Sequence, residues 1–207
     1  EENGQDSTVY LRGASLNETG EAVFPLRQSI SGVGAVSKRG FGNILDEQLF
    51  LSGNGVCALT TNVLTAERIV QNRSFFVDPK LKAENGLEAA AAVSWNGMFL
   101  VAVNSHVYLL DGRQDKTYRA KSQSEFVYEC YYWENVPAVC WMNVKDGAEE
   151  NLYFGTEAGK VCRFNTDRDS MSRYSDDGAA IGAMWATRAD DDGDMTVLKT
   201  MIKKGNS

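Results

Sequence analysis

The chain has 207 residues, of which 43% are hydrophobic and 24% charged, so it can bury a core as one domain or two small ones. Its net charge is −7 and its pI is about 4.8, whereas nucleic-acid binding usually needs a concentrated basic face. We therefore expect no direct nucleic-acid specificity. No run of about 18 apolar residues occurs, which predicts no transmembrane helix and no membrane partner.

The chain begins with polar and acidic residues, "EENGQDSTVY", which is the opposite of the basic start and apolar centre of a signal peptide. It also starts without Met, and we expect a processed product or an excised piece of a longer protein. The first strand-like segments, 7–16 and 22–36, are predicted to pair with each other.

Three segments further along the chain share one pattern. Residues 47–62, 97–113 and 150–167 each contain an apolar strand, a tight turn and a second, alternating strand. Aligning Val56, Val107 and Val161 gives spacings of 51 and 54 residues. Glycines in Asn54-Gly55, Asn96-Gly97 and Ala158-Gly159 stand where a hairpin needs a positive φ.

The connecting segments are less regular. Residues 62–81 are interpreted as a long connection in which Arg73 suits a buried ion pair or an interface contact. Residues 80–93 favour a helix of one or two turns at most, because Asn85-Gly86 interrupts them. The aromatic-rich segments 125–135 and 137–144 are predicted as adjacent strands, and 179–205 as a further hairpin.

A repeat of strands and turns with a period of roughly 40–50 residues is typical of propeller blades. We therefore predict an all-β fold of β-propeller-like repeats of short antiparallel strands. The whole chain, 1–207, is expected to be a single domain with about four blade-like units, near 47–62, 97–113, 150–167 and 179–205. This count is the lower limit for a closed ring, so an incomplete ring or a fragment is allowed.

Residues that suggest chemistry have simpler structural interpretations. Four acids form a cluster after residue 189: Asp190, Asp191, Asp192 and Asp194. Their spacing excludes an EF-hand and favours a solvated hairpin tip, with a weak cation site as the alternative. The single histidine, His106, is interpreted as a hydrogen-bonded hairpin residue, because no GxSxG, HExxH or P-loop motif accompanies it. We predict no catalytic residue, no cofactor-binding residue, no metal ligand and no cofactor.

Cysteines and aromatic residues complete the set of candidates. Four cysteines form no CxxC pair and are predicted to be buried, reduced thiols: Cys57, Cys130, Cys140 and Cys162. Five aromatic residues lie close together in the sequence: Tyr128, Tyr131, Tyr132, Trp133 and Trp141. Core packing between sheets explains them, and a platform for a sugar, a peptide or another protein is the alternative.

Taken together, these stretches resemble virion structural proteins of tailed bacteriophages, in particular tail-nozzle or hub-like proteins of the β-propeller type. The resemblance is carried by "DEQLFLSGNGVCALT", "TAERIVQNRSFFV", "WNGMFLVAVNSHVYLLDGRQ", "YYWENVPAVCW", "LYFGTEAGKVCRFNTD" and "YSDDGAAIGAMWATRADDDGDMTVLKTMIKKG", which span roughly residues 45–205. The third hairpin is also similar to blades of quinoprotein-like propellers. Proteins of the phage group typically continue past the last hairpin here, so the end at Ser207 fits a fragment.

The resemblance implies a non-enzymatic structural component of a phage or prophage particle, associated with the tail, that acts as a β scaffold for protein–protein assembly. Other virion proteins are the implied partners, and a homo-oligomer in the particle is expected. The implied location is the virion, assembled in the host bacterial cytoplasm. A propeller binding module for a cell-surface glycan or protein is the alternative function, and a quinoprotein-type or hydrolase-type enzyme is a further competitor.

Overall fold

The structure is a computed structural model that describes residues 7–11, 15–23, 26–45, 47–61, 68–113, 128–147, 149–167 and 169–184. Strands dominate these residues and form several small antiparallel sheets, none of which closes on itself within the described ranges. The predicted all-β class is thereby confirmed. The chain divides into two compact units, Glu1–Phe164 and Asn165–Ser207.

The first unit begins with two small pairs of strands. These are β1 (Ser7–Leu11) with β4 (Leu26–Ser31), and β2 (Ser15–Leu16) with β3 (Ala22–Val23). The predicted pairing of segment 7–16 with segment 22–36 is therefore confirmed.

Three larger sheets follow, and in each of them every strand pairs antiparallel with the next strand along the chain. Sheet I contains β5 (Phe41–Ile44), β6 (Glu47–Ser52), β7 (Gly55–Thr61) and β8 (Arg68–Asn72). Sheet II contains β9 (Ala91–Trp95), β10 (Met98–Val103), β11 (His106–Asp111) and β12 (Glu129–Trp133). Sheet III contains β13 (Cys140–Asp146), β14 (Glu149–Gly155) and β15 (Val161–Arg163).

The hairpin turns within these sheets use the residues that the sequence indicates. Gly55, Gly97 and Gly159 all have positive φ, at +100°, +73° and +76°. Asn96 precedes Gly97 with φ +46°, so this two-residue loop has the left-handed geometry that matches the twist of a hairpin. The three aligned segments thus contain the hairpins β6–β7, β10–β11 and β14–β15.

Sheet II is buried on both of its faces. Along β10, Phe99, Val101 and Val103 pack in one apolar core with residues of sheet I such as Leu51 and Val56. The alternate residues Met98, Leu100 and Ala102 pack in a second core that includes Leu152 of sheet III. Because successive side chains of a strand point to opposite faces, sheet II lies between sheets I and III.

The first strands of the three sheets lie side by side. Arg39, just before β5, forms a parallel bridge with Ala91 of β9. Next to it, the backbone N–H of Asn43 donates to Ser94 Oγ at 2.7 Å. On the other side of β9, Trp141 of β13 donates its indole N–H to the Ala91 carbonyl at 3.0 Å. Thus β9 is flanked by β5 and β13, and the three sheets follow one another in chain order.

Two connections differ from the sequence-based predictions. Segments 125–135 and 137–144 are not adjacent strands, since β12 is the last strand of sheet II and β13 pairs with β14 in sheet III. The predicted connection 62–81 contains β8 and the start of the helix α1 (Asp78–Ala83). The predicted brief helical character of 80–93 is confirmed by α1 and a 3₁₀ turn at Leu87–Ala89, separated by Gly86 with φ +72°.

The second unit is small and exposed over its described part. It contains a 3₁₀ turn (Met171–Tyr174) and a short hairpin of β16 (Ser175–Asp176) and β17 (Ala179–Ala180). Most of the predicted fourth hairpin, 179–205, lies outside the described residues, and so do the four clustered acids, Asp190, Asp191, Asp192 and Asp194.

The close approach of the first strands generates a test. A Cβ atom at Gly42 of β5 would lie 2.5 Å from Ser94 Oγ and 2.6 Å from the Phe99 ring. We expect Gly42→Ala to destabilise the protein by about 1–3 kcal/mol, because sheets I and II must move apart to admit the methyl group. Gly53→Ala is the matched control, since its Cβ would meet nothing closer than 4.0 Å. Urea unfolding of both variants measures the difference, and equal stabilities would contradict the packing described.

Candidate protein interface

The side of sheet III that faces away from sheet II exposes apolar side chains. We call this side the outer face of sheet III, and its apolar residues are Cys140, Met142, Val144, Tyr153 and Val161. Met142 is 56% exposed and Val161 74% exposed. The two strand pairings place Met142 beside Tyr153, and Val161 beside Gly155.

The opposite side of sheet III is covered. Trp141, Leu152 and Phe154 belong to the core shared with sheet II, and Phe164 contacts both Trp141 and Phe154 with ring centroids 6.2 and 5.6 Å apart. Strands β13 and β14 therefore carry apolar side chains on both faces, although sheet II covers one of them. A contiguous exposed apolar face of this kind commonly marks a protein contact.

A second exposed apolar feature lies at the turn before α1. Phe75 and Phe76 are 66% and 63% exposed and pack edge to face with centroids 5.8 Å apart. The turn is held by buried Ser74, whose hydroxyl donates to Asp78 Oδ1 at 2.6 Å and accepts from the backbone N–H of Val56 at 2.8 Å. The aromatic pair is thus presented on a well-anchored turn.

The five aromatic residues singled out from the sequence do not form one platform. Tyr128 is fully buried between sheets I and II, while Trp133 and Trp141 pack against the core of sheets II and III. Tyr132 is half-buried beneath Lys80, whose Nζ lies 3.8 Å from the ring centroid. Tyr131 is the most exposed of the five, at 45%. Core packing is therefore the main role of these rings.

His106 belongs to a polar cluster centred on Glu84. Glu84 Oε1 lies 2.6 Å from His106 Nδ1 and accepts a hydrogen bond from the Tyr108 hydroxyl at 2.7 Å, while Oε2 accepts from Asn104 Nδ2 at 2.8 Å. Burial alone would raise the pKa of Glu84, but the bonds from Asn104, Tyr108 and His106 outweigh burial and lower it. Burial, followed by the bond to Glu84, raises the pKa of Tyr108. The cluster ties the chain after α1 to the β10–β11 turn.

Arg73 forms a buried ion pair, the first of the two roles that the sequence suggests. Its side chain is 1% exposed, and its Nε and Nη2 donate to the two carboxylate oxygens of Glu47 at 3.0 and 2.6 Å. Nη1 donates to Gln71 Oε1 at 2.8 Å, and the Tyr128 hydroxyl donates to Glu47 Oε2 at 2.9 Å. The pair therefore fastens sheet I to the residue that precedes β12.

All four cysteines lie among the described residues, where they form no disulfide and differ in their environments. Cys57 is buried, as predicted, and burial raises the pKa of its thiol. The prediction is wrong for Cys140, which is exposed because it lies on the outer face of sheet III opposite Gly155. Cys130 and Cys162 are half-buried.

Within the described ranges, no three or more His, Cys, Asp or Glu side chains are grouped so that they could hold a metal ion. No helix in this part of the chain has the length and apolar character needed to cross a bilayer. Comparison with protein-family models, with curated proteins and with solved structures finds no match.

The outer face of sheet III and the role of Glu84 are not among the features predicted from the sequence. A signal for the outer face is present in β13, where Cys140, Met142 and Val144 alternate with Trp141 and Asn143. Such a strand has apolar residues on both faces, which indicates burial on both sides. Glu84 gives no comparable signal, because its partners lie at least 20 residues away.

The Glu84 cluster predicts a pH dependence of stability. Since the pKa of Glu84 is lower in the folded protein than its ordinary value of 4.5, its contribution is present above that value and is lost as the pH falls below it. We expect Glu84→Gln to reduce stability at neutral pH and to flatten the loss of stability towards about pH 3. Urea midpoints at several pH values measure this, with Glu88→Gln at an exposed site as control. Parallel pH curves for wild type and Glu84→Gln would refute it.

The Arg73–Glu47 pair predicts a large mutational effect. Glu47→Leu leaves the buried guanidinium without its carboxylate, so we expect a destabilisation of about 3–5 kcal/mol. The control is Lys145→Ala, which breaks an ion pair with Glu150 whose lysine side chain is 73% exposed. That change should cost less than about 1 kcal/mol. Denaturant unfolding distinguishes the two, and similar losses for both variants would contradict a buried pair.

Proposed function

We propose that this chain is a non-enzymatic structural protein of a phage or prophage particle, associated with the tail, and that it acts as a β scaffold for protein–protein assembly. The observation that carries the proposal is the stack of three sheets whose last apolar face, on sheet III, is exposed. An enzyme needs convergent reactive groups, whereas an assembly protein needs a rigid body with apolar contact surfaces.

The arrangement of the sheets supports a propeller-type architecture for this scaffold. Propeller blades are antiparallel sheets of four strands that pack face to face around a central channel. Sheets I and II have four strands each in chain order, and β5, β9 and β13 lie side by side as the innermost strands of successive blades would. The repeat spacing of Val56, Val107 and Val161 agrees with one hairpin per blade.

The use of the polar residues also supports a structural role. His106 and Glu84 hold a loop against a hairpin, and Arg73 with Glu47 holds sheet I against Tyr128. His106 is hydrogen-bonded to Glu84, and Arg73 to Glu47, so both pairs stabilise the framework. Their arrangement favours mechanical stability over proton transfer to a substrate.

A glycan-binding module receives less support from the same observations. Sugar recognition would use open aromatic faces, but Trp133 and Trp141 both contact Phe164, with ring centroids 5.7 and 6.2 Å apart. We therefore retain assembly as the proposed function. Binding on a glycan array that is lost in a Trp133→Ala or Trp141→Ala variant would favour the alternative.

The direct test is the composition of phage particles. We expect mass spectrometry of density-purified particles from the source host to detect this chain at a constant ratio to the tail proteins. Portal, terminase and tape-measure genes beside its coding sequence would agree with that result. A chain found in the cell lysate but absent from intact particles would contradict the proposal, and so would substrate turnover by the purified protein.

A further inference from the structure

We propose that the outer face of sheet III binds the same face of a second copy of this chain, which forms a two-fold dimer. This inference rests on the proposed assembly function and names a partner for it. The face comprises the apolar residues Cys140, Met142, Val144, Tyr153 and Val161, as defined above.

The shape of the face suits another sheet. Met142 and Tyr153 are directly opposite on neighbouring strands, as Leu100 and Leu109 are on the side of sheet II that packs against sheet III. Gly155 contributes no side chain between Cys140 and Val161, and a Cβ there would lie 2.8 Å from Cys140 Sγ. Gly155 therefore leaves a shallow depression in the face, with Cys140 and Val161 on either side of it. Two such faces can pack in the way that sheets pack in sandwiches, about 10 Å apart.

The charges of the two halves of the face select a second copy as the occupant. Asp146 and Glu149 are paired at one end. The half nearer the β14–β15 turn has Arg163, which pairs with Tyr153, and Lys160 within the turn; with Glu157 in the same turn, the charge balance of this half is positive. A two-fold axis that runs in the interface across the strands sets the acidic half of each copy against the half with the positive balance in the other. Such self-complementarity is what an isologous dimer requires.

The test uses the full chain and measures its mass in solution. Light scattering and sedimentation equilibrium should show the mass rising from one copy to two with protein concentration. Met142→Lys places a charge in the centre of the apolar face, so we expect it to weaken association at least about tenfold. Phe75→Lys is the matched control, because Phe75 is also highly exposed but lies outside this face. It should associate as the wild type does.

Folding of the variants and coverage of the face are measured separately. Met142 is already 56% exposed, so Met142→Lys should unfold at a urea concentration close to that of the wild type. Alkylation of Cys140, read by peptide mass spectrometry, should slow as the concentration of the wild type rises. In Met142→Lys the rate should stay constant over the same range.

Three outcomes would overturn the inference. A monomer at every concentration with rapidly alkylated Cys140 would show an uncovered face. Protection of Cys140 that does not depend on concentration would show that residues of the same chain cover it. A dimer that persists in Met142→Lys would show association through another surface. A monomer that is nevertheless found in particles would overturn this inference alone, whereas a dimer absent from particles would overturn the proposed function.

Discussion

The burial of sheet II on both faces is the constraint on which the rest of the structure depends. Strands β10 and β11 have apolar side chains on either side, so neither face can meet water without a large loss of hydrophobic stabilisation. One sheet cannot cover itself, and sheets I and III are therefore required on its two sides. The first strands then lie close together, which is why Gly42 stands where a side chain would meet Ser94 and Phe99.

The polar clusters fix how these layers sit against each other. Apolar packing between flat sheets permits sliding, whereas hydrogen bonds with defined geometry do not. Arg73 and Glu47 reach Tyr128 at the edge of sheet II, and Glu84 holds the β10–β11 turn through three side chains. These titratable residues thus fix the orientation of the layers, and the proposed scaffold function would require such a fixed orientation.

The parts of this fold that depend on local sequence could be predicted, and the parts that depend on distant contacts could not. The Asn96-Gly97 turn and the hairpins around it follow from side-chain period and from the positive φ that glycine permits. The prediction that segments 125–135 and 137–144 are adjacent strands is wrong. They contain β12, the last strand of sheet II, and β13, the first strand of sheet III. A strand-like sequence pattern does not show whether two consecutive strands pair in one sheet or belong to two sheets. The partner of Arg73 lies 26 residues away in Glu47, and only the packing of sheet I brings them together.

The exposed end of the stack has a consequence for how such a protein can assemble. If the chain is part of a propeller, the outer face of sheet III is the surface on which the next blade would pack, so ring closure and two-fold pairing compete for the same residues. A face covered by a blade cannot accept a second copy, and a face occupied by a second copy prevents the ring from growing past it. The exposed residues Met142, Val144 and Val161 would then contribute to only one of the two proposed assemblies at a time. The state of Cys140 within that face reports whether it is covered, and its dependence on concentration separates a cover within the chain from one between chains.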